Sequence, residues 1–255
     1  MEQKLFTHPS MAVILGLSSL VLLLPHGELL KYLAEQTAPI HVLCLNLTPT
    51  GSYKPFYDAI VCGNSLAPER AAAFRSTGLI HLIVVSGAHL TFLLWFLERI
   101  FPKTPWPRYG LLVAFIMMTS WQPPALRGFA QIAASETSRK FGLGWSSQAS
   151  CLISGVVIWA IFPELILSLS FLLSWAAALS ISIAPVTGLK RHALVFLILV
   201  PVLAPLSAPH PASIFLNWIF VPLIGAILFP ASLAATAAPP LAQLTDPLWA
   251  GLEWL

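Results

Sequence analysis

Charge is what this chain has least of. Of its 255 residues, 13 are Lys or Arg and 10 are Asp or Glu, so 9% are charged, against about 25% in an ordinary soluble domain. That shortage excludes a water-soluble globule of the usual type. Aspartate is scarcer still, at Asp58 and Asp246 only. No His-x-His-x-Asp-His cluster occurs, which excludes a self-contained metal-dependent nuclease; no cofactor or metal ion is expected. There are three cysteines. Cys151 lies in an apolar run and reads as inert packing. Cys44 and Cys62 share one polar segment and could pair if it faces an oxidising space, although no spacing pattern enforces the bond. No repeat of the kind that marks inverted-repeat transporters is present.

What is abundant is apolar surface: 57% of residues are hydrophobic and mean hydropathy is +0.82. Windows without charge approach the length that crosses a bilayer, and about seven of them can be counted. The 22 prolines are too many for straight helices, so kinks and re-entrant pieces are expected. The fold class predicted is an all-α integral membrane protein, a polytopic bundle of about seven transmembrane segments with broken, re-entrant and amphipathic helices. Met11 to Leu24 reads as a short uncleaved membrane helix, because no small-x-small site follows it. Residues 25–77 are the longest polar stretch, with a β-like alternation over 41–47 and a helix from Pro68 to Phe74. Leu79 to Ile100 is an apolar segment interrupted at Ser86-Gly87. Tyr109 to Trp121 is a thin apolar run. Pro123 to about Phe141 is an amphipathic helix with Arg127, Gln131, Ser135 and Ser138 on one face. Trp145–Phe162 and Leu165–Ile183 form a pair, each with small residues four apart, Ser147, Cys151 and Gly155 on the first and Ser170, Ser174 and Ala178 on the second, a spacing that lets membrane helices approach closely. Ala193–Leu206 and Ser213–Ser232 are proline-interrupted, and an Ala/Pro-rich tail begins at Leu233. Trp95, Trp106, Trp121, Trp145 and Trp159 suit interfacial anchoring.

The chemistry concentrates at Gly78 to His89. His81, Ser86, Gly87 and His89 interrupt a run apolar enough for hydrocarbon, where polar groups are expensive and are functional-site candidates by default. Ser86-Gly87 breaks good helix sequence, and broken helices persist at membrane depth only when buried in protein or lining a wet cavity. A continuous helix would put Arg75, Gly78, His81, Ser86 and His89 on one stripe suited to a lumen. A strand of nucleic acid needs spaced cations and aromatic stacking faces. Arg70, Arg75 and Arg127 could supply the first, and Phe74, Trp121 or Phe129 the second. Two other readings stay open: an intramembrane serine hydrolase using Ser86 with a histidine base, and a small-solute transporter with a broken-helix site.

Three runs, Ala59-Ile60-Val61-Cys62-Gly63, Phe74-Arg75-Ser76-Thr77-Gly78-Leu79-Ile80-His81-Leu82 and Val85-Ser86-Gly87-Ala88-His89, together resemble the membrane core of ComEC-type competence proteins. Pro124-Ala125-Leu126-Arg127-Gly128, Pro163-Glu164 with Leu167-Ser168-Leu169-Ser170-Phe171, and Asn217 with Pro222 follow in the family's order. The resemblance covers roughly residues 56 to 232 and implies a channel core, not an enzyme, for single-stranded DNA entering across the cytoplasmic (inner) membrane of a bacterium in natural transformation. It implies four parts: a membrane helix (1–24), a polar, extracytoplasmic segment (25–58), the channel core (59–232) and a tail (233–255). Arg75, His81, Ser86, Gly87, His89, Arg127 and Gln131 would line the DNA path; Gly78, Ser170 and Asn217 would serve helix breaks and packing. Partners implied are the lipid bilayer, single-stranded DNA, separate receptor, nuclease and motor proteins, and further copies of the chain. Residues 25–60 are too short for the oligonucleotide-binding barrel of larger members. The resemblance puts the segment before the Gly78 motif outside the cell. The loop charges disagree: seven crossings would put nine of the 13 Lys/Arg on the side of residues 25–77, which the positive-inside rule assigns to the cytoplasm.

Overall fold

The computed structural model describes residues 29–184, 186–204 and 210–253; the expected Met11–Leu24 helix lies outside them. All regular elements among them are helical. In order they are α1 (Leu29–Leu47), α2 (Lys54–Cys62), α3 (Pro68–Ser76), α4 (Ile80–Ile83), α5 (Gly87–Ile100), α6 (Pro105–Met118), α7 (Pro123–Lys140), α8 (Ser147–Ile161), α9 (Leu169–Ile183), α10 (Leu189–Leu203), α11 (Ser213–Leu223), α12 (Phe229–Ala237) and α13 (Ala242–Glu253). A 3₁₀ turn, Pro163–Leu167, joins α8 to α9, and a π-turn, Ile224–Leu228, joins α11 to α12. Proline sits in the first turn of α2, α3, α6, α7 and α12, where its missing N–H costs nothing. Many prolines thus start short helices, while Pro39, Pro201, Pro222 and Pro247 lie inside helices as interruptions.

Two helical stretches among the described residues, Ile80–Ile100, interrupted at 84–86, and Ser213–Ala237, are long and apolar enough to cross a membrane; Ser147–Ile161 and Leu169–Ile183 are apolar but shorter. This is coarser than the seven crossings expected. The β-like alternation over 41–47 is also corrected. Those residues end α1, which runs through Pro39, because the local alternation loses to packing along α6. His41 Nδ1 donates to the Met118 carbonyl (2.7 Å) and Trp121 Nε1 donates to Thr37 Oγ1 (2.8 Å). Trp121 is thus an internal strut rather than an interfacial anchor, whereas Trp106 is 84% exposed.

α2 is the centre of the core. Phe56, Tyr57, Ile60 and Cys62 are fully buried, and Cys62 is disulfide-bonded to Cys44 at the end of α1. Residues 233–255 are not a loose tail as far as described: α13 docks on α2, with Trp249 stacked on Phe56 (5.1 Å between centroids). The Tyr57 hydroxyl donates to Asp246 Oδ1 (2.7 Å) and lies 2.6 Å from Thr245 Oγ1. Burial, reinforced by the Asp246 carboxylate, pushes the Tyr57 phenol up from its ordinary pKa. α5, α7, α8 and α9 pack side by side. In the last pair Gly155 receives the Trp175 indole, whose Nε1 donates to the Cys151 carbonyl (3.0 Å). Ser170 is exposed and bonds Ser168 (3.0 Å), so it makes no helix–helix contact of the kind expected.

Candidate functional site at the break between α4 and α5

The interruption expected at Ser86-Gly87 is present: residues 84–86 are non-helical and Ser86 is the extended N-cap of α5. A second break precedes it. Gly78 adopts φ +74° between α3 and α4, a left-handed conformation that glycine adopts readily. A side chain there would also collide with Ser213, its Cβ lying 2.7 Å from that residue. Two breaks destroy the continuous stripe predicted from helical spacing. Arg75 and His81 are exposed, whereas His89 is buried, and the two histidines do not share a site. Asn217 lies near Gly78 with a buried Oδ1 that has no hydrogen-bond partner among the described residues.

His89 acts on the backbone. The Ser86 amide donates to His89 Nδ1 at 2.9 Å, and Ser86 Oγ stands 3.3 Å from the same nitrogen. A neutral imidazole has a single ring acceptor. The amide occupies it, so Nε2 carries the hydrogen and nothing remains to take a proton from Ser86. The ring also packs on Phe229 (4.4 Å). This geometry is a reciprocal helix cap and works against a Ser86 hydrolase.

Gly87 begins α5 directly against α7. A Cβ on Gly128 would lie 2.7 Å from the Gly87 Cα, and a Cβ on Gly87 would lie 2.6 Å from Arg127 Nη2. This approach is possible because both positions lack a side chain. Beside it opens a cavity of about 320 Å³ whose polar lining is Thr91, Arg127, Gln131, Ser135 and Glu136. Arg127, Gln131 and Ser135 are the i, i+4, i+8 face read from the sequence. Of that face Gln131 is half-buried and Ser135 exposed, while Arg127 looks into the bundle, only 5% exposed. Its Nε donates to Ser174 Oγ (3.0 Å) and its Nη1 to Gln131 Oε1. Both partners are neutral, and no ion pair to Arg127 exists among the described residues. Glu136, at the other end of the cavity, is engaged with Arg139.

The other expected pore groups are occupied elsewhere. Arg70 pairs with Glu253 (3.1 Å) and lies over Phe56; Phe74 is buried in the core. Sequence reasoning missed Gly128 as the counterpart of Gly87, Ser174 as the orienting hydroxyl and Thr91 as a cavity wall. The glycine following Arg127 in an apolar helix was a usable signal for the first; the other two depend on non-local packing.

A family model described as Competence protein matches residues 61–255. The chain belongs to the Competence protein family. An uncharacterized protein of Aquifex aeolicus (strain VF5) is 29% identical over 171 residues, 63% of this chain and 41% of that protein. The chain thus spans less than half the length of this relative. No solved structure matches. In this Competence protein the match takes in α3 through α13, and so both breaks, Arg127 and the docked C-terminal helix.

Proposed function

We propose that the chain is a membrane-channel core that passes single-stranded DNA across the cytoplasmic membrane during natural transformation. The observation that carries this reading is the family match over residues 61–255. Composition supports the membrane setting, since 9% charge and 57% hydrophobic residues are hard to keep soluble. The chain is read as multi-pass, with its shorter apolar helices joining the two long ones in the bilayer. It catalyses no reaction of its own; strand degradation and the driving motor belong to separate proteins, and the receptor hands the strand to the polar segment before Gly78. Arg75 stands at the exposed entrance and Arg127 inside. The small-solute transporter is the second reading, favoured by the cavity beside the broken helix.

The test is uptake of labelled transforming DNA after deletion of the gene and restoration with wild type or with Arg75→Ala/Arg127→Ala. Deletion is expected to abolish uptake, wild type to restore it, and the normally expressed double variant to fail. Uptake that is indifferent to deletion overturns the reading and leaves the solute transporter.

A further inference from the structure

We infer that the cavity between α5 and α7 is an oxyanion site that takes one phosphodiester group, with the Arg127 guanidinium as its cation; the strand as the source of that phosphate rests on the translocation reading above. The first ground is an uncompensated charge. A buried guanidinium is costly unless it is paired, and here the protein supplies two neutral oxygens, from Ser174 and Gln131, and no carboxylate. Those oxygens hold Nε and Nη1 and thereby fix the plane of the fork. Nη2 packs against Gly87, whose missing Cβ makes room for the guanidinium itself, and Arg127 borders the cavity.

The second ground is the space. About 320 Å³ holds roughly ten waters at about 30 Å³ each, enough for a phosphate and part of its hydration. Near Arg127 the lining offers the Gln131 amide donors; Ser135, two helical turns on, stands beside Glu136. Glu136, the one acidic group in the wall, is at the far end and held by Arg139, so an anion is drawn to the Arg127 end. Arginine's fork suits phosphate oxygens better than a lysine point charge does. The geometry recognises a phosphodiester, whether from a DNA strand or from a lipid headgroup.

The experiment uses the full chain purified in maltoside micelles, which carry no phosphate. Arginine modification by phenylglyoxal is followed by mass spectrometry, alone and with oligo(dT), with an uncharged methylphosphonate oligo(dT), or with phosphatidylglycerol. Arg127 is expected to be modified in the free protein and protected by oligo(dT) but not by the uncharged analogue. Protection by phosphatidylglycerol alone keeps the oxyanion site and assigns it to lipid. An Arg127 protected by none of them, or unreactive from the start, overturns the site even where gene deletion still abolishes uptake. In parallel, R127Q is expected to weaken oligo(dT) binding about tenfold, as for a lost charge-assisted hydrogen bond, and to flatten the log–log salt slope by about 0.7. Should R127Q misfold, T91F puts a ring in the cavity one turn from Gly87 without touching the Arg127 bonds and is expected to abolish the protection; retained protection in T91F overturns the proposal.

Discussion

Gly87 and Gly128 show how much one missing methyl group can decide. A Cβ on Gly128 faces backbone at 2.7 Å, and backbone cannot swing aside, whereas Gly251 in α13 has nothing within 4 Å of its would-be Cβ. Gly128→Ala is therefore expected to destabilise the bundle by about 1–3 kcal/mol through overpacking. Gly251→Ala, also in a helix, should be neutral or stabilising by up to about 1 kcal/mol from helix propensity alone. Thermal unfolding of the two variants in detergent should move in opposite directions; equal shifts would mean that α5 and α7 do not approach at these glycines. The helix break at Ser86-Gly87 was legible in the sequence because glycine and serine act locally. The partner of Gly87 was not, because it lies some 40 residues away on another helix. The same distinction separates Arg127, whose place beside a cavity followed from a stripe on one helix, from His81 and His89. Their common stripe presupposed one continuous helix, and the chain turns twice within it.

Among the elements, α2 holds the polar N-terminal region to the rest, through a covalent bond on one side and an aromatic stack on the other. The Cys44–Cys62 bond closes a loop with a sequence separation of 18, for which the chain-entropy estimate is about 3 kcal/mol. Cys44→Ser/Cys62→Ser should lose stability of that order. In the wild type unfolded without reductant, one thiol, Cys151, should react with maleimide, and three after reduction. On the other side, Tyr57→Phe removes the bonds to Thr245 and Asp246 and is expected to cost about 1–2 kcal/mol. The pH dependence follows from the raised phenol. Folded Tyr57 holds its proton more tightly than the unfolded side chain, whose pKa is about 10, so its contribution is complete below that pH and falls away above it. Denaturation curves of Tyr57→Phe should therefore show a shallower alkaline loss than wild type; identical limbs would show that the tie is not made. Little of this was readable from the chain. A tail rich in Ala and Pro carries no periodicity strong enough to announce that Trp249 will be fully buried. The alternation over 41–47 pointed to a strand because the tertiary contacts that make it helical involve Met118 and Trp121.

At the scale of the molecule, the course of α7 bears on the conflict between loop charges and family likeness. The charge count treated residues 122–144 as one loop on the side of residues 25–77. In the structure α7 instead runs the length of the bundle. Its first residues meet the disulfide end, where Gln122 donates to the Gly63 carbonyl (2.8 Å). Its last turn lies with the α5–α6 connection, where Glu136 bonds Tyr109 and Arg139, and Arg108 holds the Phe101 and Pro102 carbonyls and faces Glu98. Arg99, Lys103, Arg108, Arg139 and Lys140 thus gather at one end and the Cys44–Cys62 bond sits at the other. At the disulfide end, Lys54 and Arg70 are neutralised by Asp58 and Glu253. A disulfide belongs in an oxidising space and clustered Lys and Arg in loops belong in the cytoplasm; from the two we propose one orientation, with α2 outward. That orientation also matches the entry of a strand from outside. It is checked by single cysteines at two exposed positions, Ser52→Cys near α2 and Lys103→Cys between α5 and α6, probed on intact spheroplasts with a membrane-impermeant maleimide. Ser52→Cys should label without lysis and Lys103→Cys only after it. The reverse pattern would place the disulfide in the reducing cytoplasm and sink the inward path for DNA. Labelling of both before lysis would mean that α5, α6 and α7 do not separate two compartments, and with that the multi-pass reading would fall.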